Sequence, residues 1–491
     1  MEFVIGIDLG STGIRGIVTN SVGKVILSKQ LAITPSYKAR QLPAGWYEQN
    51  PESWIEALHR ILKEIVKDLK KLGIPLQEIS AICTDSTSGT VLAVDEFGNP
   101  LIPAIMYNDI RAQDEAEKIQ KIAISFSQKV GYKFKASFSL PKILWIKQNR
   151  PSIYIQTKKF LHANDFLVGL LTGEYFHSDI SNCLKAGFDF IDERWPGFIE
   201  SELEISFEKL PKVVPSGKKI GVTSTELEKN TGFPSGVAVI SGATDSIMAL
   251  IASGASQVGD IFTSLGTTLV TRILTDKLVY DMQGRVYCHI FPGKTRYYLP
   301  GGASSVGAEC LHAYFPEINF ALFDQKALEY FPTNGITYPL VKKGERFPFV
   351  NPDAEHFYMG TTEIYEKYTA YLQGVAFVER LSIEILERLG VKTGSRVFTI
   401  GGATKSRPWL QIRADVLQKT IYRPKIIEAA YGAAILAASA TIYKEDVLGT
   451  IKKFVQPDII IKPRIEFKEK LTKNYKDFCA EIMKRFNFKI E

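Results

Sequence analysis

Two aspartates stand beside turns rich in glycine and hydroxyl side chains. Asp8 closes the apolar run Phe3–Ile7 and opens the stretch Asp8-Leu9-Gly10-Ser11-Thr12-Gly13. Asp245 follows the small-residue passage Ile240-Ser241-Gly242-Ala243-Thr244, and Thr263-Ser264-Leu265-Gly266-Thr267-Thr268 comes soon after. A carboxylate can take a proton from a hydroxyl or hold a hydrated divalent cation. A tight Gly/Ser/Thr turn between strands offers N–H groups and hydroxyls to an anion. By itself the first turn reads equally well as a plain β-hairpin.

The second copy tips that balance. Ile7–Thr12 and Thr263–Thr268 share the order strand, Leu-Gly, Ser or Thr, Thr, strand. Two such hairpins half a chain apart imply a duplicated architecture with one nucleotide between the halves. Ser264 stands where the first copy has Asp8, so the two halves have unequal roles.

Other strand ends carry polar groups. Ile79–Thr84 reads as a strand opening into Asp85-Ser86-Thr87-Ser88-Gly89, where open α/β sheets bind ligands. Asn108, Asp109 and Arg111 cluster at another, with Asp109 reading equally as a helix cap. Trp46 and Glu48 precede Asn50-Pro51, a good start for a helix whose apolar face runs from Trp54 to Leu69. Trp46 either lines a pocket or covers that helix end. Val397–Ile400 enters Gly401-Gly402-Ala403-Thr404-Lys405-Ser406 before a helix from about Arg407, which lets a nucleotide lie on bare backbone near a helix N-terminus. Asn182 and Lys185 read as a surface loop, residues 335–353 as an irregular surface segment, and Ala429–Tyr443 as a buried Ala-rich helix.

Composition excludes several classes. At 491 residues the chain is long enough for two domains, and 45% hydrophobic with 23% charged residues is ordinary for a soluble protein. The net charge of +7 is spread out, which argues against a nucleic-acid surface. No apolar stretch is long enough to span a bilayer. The five cysteines form no CxxC pair and fit a reduced, cytoplasmic setting. The chain opens directly on a strand, without the marks of a signal peptide.

Together the motifs resemble the FGGY carbohydrate kinases. The resemblance rests on Ile7–Thr12, Trp46–Pro51, Gly242–Asp245, Ser264–Thr268, Ile400–Ala403, and Trp409–Asp415 with Glu428–Ala434. It implies an α/β fold of two actin-like (ribonuclease-H-like) ATPase domains flanking a catalytic cleft. The sugar-binding domain is expected over residues 1–241, and the nucleotide-binding domain with a helical tail over 242–491. ATP and Mg²⁺ are the implied cofactors, Asp245 the general base, and Asp8 the magnesium and phosphate residue. Asp8, Ser88, Asp245, Trp46 and Asn108 are expected at the substrate. Ser11, Thr12, Gly13, Gly266, Thr267, Thr268, Gly401, Gly402, Ala403 and Ser406 are expected at the nucleotide. The passages Asp85–Leu92, Asn182–Gly187, Thr244–Ala255 and, most discriminating because it lies outside the general family motifs, Tyr338–Pro348 are similar to plant and cyanobacterial D-ribulose kinases. Xylulose kinases carry Met-His-Gly where this chain has Thr87-Ser88-Gly89. The expected reaction is therefore D-ribulose to D-ribulose 5-phosphate, with D-xylulose or another pentulose or polyol as the alternative. The partners are then a small sugar and ATP, with no nucleic acid or membrane, on a monomer or homodimer.

Overall fold

The computed structural model describes residues 2–33 and 42–489. They form two compact units. The first holds the chain up to Ala252 with His289–Arg296 and Glu428–Phe454; the second holds Ser253–Cys288, Tyr297–Ile427 and the chain from Val455 onward. The boundary expected between 241 and 242 thus lies at Ala252 and Ser253, and a later segment returns to the first unit. The cause is the composition of the helix Ala429–Thr441. Nearly all its side chains are small, so it lies close against the first sheet. Tyr431 locks it there, its hydroxyl donating to the carbonyls of Gly23 (2.9 Å) and Phe454 (2.7 Å).

The first unit is built on a mixed sheet. An antiparallel meander, β1 (Phe3–Leu9), β2 (Gly13–Asn20) and β3 (Val25–Ala32), begins it. The helix α1 (Glu52–Lys71) follows and buries the expected face, Trp54, Leu58, Ile61, Leu62, Ile65, Val66 and Leu69. The strand β4 (Ile79–Ser86) pairs parallel to β1. After the helix α2 (Ala163–Thr172) and the short helix α3 (Ile180–Cys183) come β5 (Lys219–Val222) and β6 (Ala238–Thr244). The order across the sheet is β5-β6-β4-β1-β2-β3. The helix α4 (Asp245–Ser253) leaves directly from β6.

The second unit repeats the pattern. β7 (Ile261–Leu265), β8 (Leu269–Ile273) and β9 (Tyr297–Ser304) are antiparallel neighbours. The helices α5 (Phe320–Tyr330) and α6 (Ile364–Arg388) follow. β10 (Arg396–Ile400) then pairs parallel to β7, the helix α7 (Arg407–Leu417) follows, and β11 (Thr420–Pro424) pairs parallel to β10. In each unit a parallel pair is added on the far side of the first meander strand. This is the duplicated actin-like α/β layout expected from the paired hairpins.

One expectation fails. Residues 335–353 are not a surface segment: Tyr338, Leu340, Phe347 and Phe349 are core residues. They fold around Glu345, itself buried. Its carboxylate accepts from Ser304 Oγ, Tyr338 Oη, and the N–H groups of Ser305 and Arg346, all at 2.7–2.8 Å. Four donors offset the cost of burying the charge.

A second buried charge ties helices to strands. Arg413 on α7 donates twice to Glu379 on α6 at 2.7 Å, and its Nη2 also reaches Thr263 Oγ1 and Thr399 Oγ1 at 2.9 Å. These threonines sit on β7 and β10, just before the glycine turns that end both strands. Removing one partner of a buried pair leaves the other uncompensated. Glu379→Gln is expected to destabilise the second unit by about 3–5 kcal/mol. Urea titration of the variant tests this, and a loss below about 1 kcal/mol, the range of an exposed pair, would contradict it.

Candidate active site

In the first unit three adjacent strands end in carboxylates. Asp8 lies opposite Asp85 across β1 and β4. Asp85 lies opposite Ala243 across β4 and β6, two residues before Asp245. Asp8 is buried and meets the Arg15 guanidinium at 3.3 Å. Burial raises its pKa, and Arg15 partly opposes this. Asp85 is fully buried. Among the described residues no N–H or hydroxyl bonds either of its carboxyl oxygens. Desolvation, then the charges of Asp8 and Asp245, push its pKa well above the usual carboxylate range. Asp245 opens α4, and its Oδ1 accepts the Ser246 N–H at 2.7 Å. A helix start suits a carboxylate, because the first N–H groups of the helix carry partial positive charge.

The remaining sugar-side residues fall into two groups. Trp46 does not cover the end of α1. Its ring lies 3.9 Å from the Arg111 guanidinium and edge-on to Trp145 at 5.3 Å. Asp109 is no helix cap either. It is buried, binds Arg111 through Nε and Nη2, and accepts the Tyr47 N–H at 2.6 Å. Arg111 Nη1 also donates to Glu48 at 2.8 Å. The pair thereby clamps the Trp46 loop to the loop of Asn108, whose own side chain is exposed.

The Ser88-Gly89 turn is held by two lysines. Lys142, fully buried, donates to the carbonyls of Gly89 (2.8 Å), Met106 (2.7 Å) and Ser137 (3.4 Å). Lys185 donates to the Ser88 carbonyl at 3.2 Å. Ser88 is half-buried. Lys185 is half-buried as well and Asn182 is buried, so the surface loop expected around them is part of the interior. Desolvation lowers the Lys142 pKa well below its ordinary value, and Lys185 adds to this.

The Ser11-Thr12-Gly13 turn forms the expected hairpin. Gly10 N–H donates to Gly13 O at 2.9 Å, and Gln49 Nε2 donates to Ser11 O at 2.5 Å. Its counterpart lies in the second unit, at one wall of a cavity of about 530 Å³. Gly266, Thr267, Gly402, Ala403 and Ser406 all line this cavity. Thr268 closes the Gly266 turn, its carbonyl accepting the Gly266 N–H at 3.1 Å. Gly401 has φ +101°, and a Cβ there would sit 2.4 Å from Leu265 O. Only glycine lets the two strand ends approach so closely. Ser406 Oγ accepts the Trp409 N–H at 3.1 Å, so it caps α7 from the cavity edge.

The opposite wall was not foreseen. It comes from Ala308, Leu311 and His312, from Phe320 and Asp324 on α5, and from Tyr368 on α6. Tyr368 donates its hydroxyl to Asp324 at 2.7 Å. These residues carry no motif. An apolar, partly aromatic cavity with phosphate-type turns at one wall suits a nucleotide.

Among the described residues no group of three or more His, Cys, Asp or Glu converges as a metal-ligand set. Asp8 still fits magnesium, which keeps its waters and takes only one or two carboxylates with substrate phosphate oxygens. No helix among the described residues is long and apolar enough to cross a membrane.

Comparison with known proteins gives two matching family models. Residues 3–252 match the N-terminal domain of the FGGY family of carbohydrate kinases, and residues 263–441 match its C-terminal domain. A xylulose kinase of Staphylococcus xylosus is 28% identical over 491 residues, covering 97% of this chain and 98% of that one. The solved xylulose kinase from Rhodospirillum rubrum superposes with a TM-score of 0.86 at 23% identity, over 99% of this chain and 100% of that one. The glycerol kinase of Plasmodium falciparum, solved with ADP, gives 0.86 at 20% identity, over 100% and 99%. At such identities the two structures speak for the fold alone.

Lys142 supplies a test of the sugar-side geometry. Its folded-state pKa is depressed, so between that value and the unfolded value of about 10.4 the unfolded chain binds more protons, and stability rises with pH. Lys142→Met is expected to flatten this rise, and to raise the sugar KM by freeing the Gly89 and Met106 loops. Denaturation of both proteins across pH 7–10, with sugar KM at pH 7.5, checks it. Parallel stability profiles would show that Lys142 is charged in the fold.

Proposed function

Because the chain belongs to the FGGY family of carbohydrate kinases, and is therefore a phosphotransferase acting on a sugar, we propose that it phosphorylates a ketopentose, D-xylulose first of all, with ATP as donor and Asp245 as general base. The observation that carries this reading is the convergence of Asp8, Asp85 and Asp245 at three adjacent strand ends. Asp245 takes the proton of the acceptor hydroxyl as that oxygen attacks the γ-phosphorus. The new O–P bond forms while the bond to the bridging β–γ oxygen breaks, and ADP leaves. Asp85 is sealed from solvent, which leaves the half-buried Asp245 as the base. Asp8 would hold magnesium through water, and the ion would neutralise charge on the phosphates.

The second-unit cavity is the donor site in this reading. Gly266, Thr267 and Gly402 offer backbone to phosphates, while Leu311, Phe320 and Tyr368 offer apolar surface to a base. The ADP named with the Plasmodium glycerol kinase supports a nucleotide here. Ser88, the Trp46 loop and Asn108 are the acceptor side, organised by Lys142 and Arg111. The five free cysteines support a reducing, cytoplasmic setting.

The relatives favour D-xylulose over the D-ribulose expected from the Asp85–Leu92 passage. One feature keeps D-ribulose as the second reading. Thr87-Ser88 replaces the Met-His expected of xylulose kinases, and Lys185 braces the Ser88 turn. Coupled ADP release over D-xylulose, D-ribulose, ribitol, gluconate and glycerol tests the choice. A D-xylulose kcat/KM at least about tenfold above the rest is expected, about 1.4 kcal/mol of discrimination. Asp245→Asn is expected to keep its ATP affinity and lose about 10²–10⁴-fold in kcat. Wild-type turnover in that variant would sink the base assignment.

A further inference from the structure

Behind the carboxylate cluster lies a buried polar network that the proposed chemistry does not use. Its centre is Asp179, at the start of α3 and buried. Its Oδ1 accepts the Ser181 hydroxyl at 2.5 Å and the Asn182 N–H at 3.0 Å. Its Oδ2 accepts Asn182 Nδ2 at 2.7 Å and Asn164 Nδ2 at 3.4 Å. Asn164 in turn accepts the Thr84 hydroxyl of β4 at 2.6 Å. Ser181 Oγ, already donating to Asp179, accepts the N–H of Thr244 at 3.0 Å. Thr244 is the last residue of β6, and Asp245 comes next.

The network sits where the sheet gives least support. Between Ile240 and Ala243 the pairing of β6 with β4 slips by one residue: Ile240 faces Cys83, while Ala243 faces Asp85. Such a bulge bends a strand and re-aims the residues beyond it. Gly242 lies inside it, where a Cβ would stand 1.8 Å from Thr84 O and 3.1 Å from Asn164 Nδ2. No side chain fits, and the strands approach until their backbones nearly touch. Beyond the bulge only Ala243 and Thr244 still pair with β4, opposite Asp85 and Ser86, and the Thr244 N–H goes to Ser181 instead of to the sheet. Asp179, through Ser181 on one side and Asn164 on the other, holds the ends of both β6 and β4.

We propose that Asp179 and Ser181 act on phosphoryl transfer as positioning residues: their hydrogen-bond relay to the Thr244 N–H fixes the turn that carries Asp245. The inference rests on Asp245 being the base. Neither residue touches the reacting atoms. Their effect is to hold a carboxylate in line with the acceptor hydroxyl, where small misplacements cost rate more than binding.

Ser181→Ala removes one hydroxyl and carries the test. It is expected to lower kcat about 10- to 100-fold while the sugar and ATP KM values stay within about twofold. Ser181→Thr, which restores the hydroxyl, is expected to recover most of the rate. Asp179→Asn should behave like Ser181→Ala wherever it folds. The decisive measurement is the double variant with Asp245→Asn. Once the base is gone, Ser181→Ala is expected to cost nothing further in kcat, whereas a merely structural contribution would add its full loss again. Full additivity, or wild-type kcat in Ser181→Ala, overturns the inference. Wild-type turnover in Asp245→Asn overturns the base reading instead, so the two failures are told apart.

Discussion

Three carboxylates at the ends of three neighbouring strands repel one another, and the first unit is arranged around that repulsion. In water the charges would separate. Here β-pairing fixes Asp8 against Asp85 and brings Ala243 level with them, so distance cannot relieve the strain. Asp85, sealed from solvent and without an N–H or hydroxyl donor among the described residues, has its pKa pushed well up by burial and by the charges of Asp8 and Asp245. Asp8 keeps Arg15 alongside. Burial and the neighbouring carboxylates thus act most strongly on Asp85, while Asp8 has a guanidinium beside it.

Each unit fixes its strand ends with a buried charge rather than with apolar packing alone. In the first unit it is Asp179, bonded to donors from α2, α3 and, through Ser181, β6. In the second it is the Glu379–Arg413 pair, bonded to threonines on β7 and β10. Glu345 does the same for the turn after β9, accepting Ser304 and Ser305 just before the cavity residue Ala308. Apolar side chains fill space but do not choose between neighbouring registers. A buried carboxylate accepts only the geometry that satisfies it and costs several kcal/mol otherwise. Such groups therefore suit strand ends that must meet a ligand to within fractions of an ångström.

The legible part of this chain was the part written locally. Strand–turn–strand hairpins, the face of α1, the Ala-rich helix and the glycine turn at Gly401 all come from contiguous residues. The duplicated sheet came from matching two such hairpins. The features that stayed hidden depend on residues far apart in sequence. Asp109 read equally as a helix cap because Tyr47, and the Glu48 and Trp46 that share its partner Arg111, lie elsewhere in the chain. Residues 335–353 read as surface because Gly, Pro and charge normally mark loops, whereas Glu345 draws its donors from β9. The far wall of the second-unit cavity comes from α5 and α6, whose residues look like ordinary helix faces. The return of 428–454 to the first unit is of the same kind: the helix was visible, but not the sheet it packs on.

The division of labour among the three aspartates comes from their surroundings. A base must be ionised and reachable. Asp85 is sealed from solvent, and burial with its neighbours' charges pushes its pKa well up. Asp8 is buried too and meets Arg15 at 3.3 Å. Asp245 is half-buried rather than sealed, at the first residue of α4. The helix start favours the anion there, and the bulge before it turns the side chain out of the pairing ladder. Of the three positions it alone combines access with a helix start, and the Ser181 hydroxyl takes up the N–H of the residue just before it.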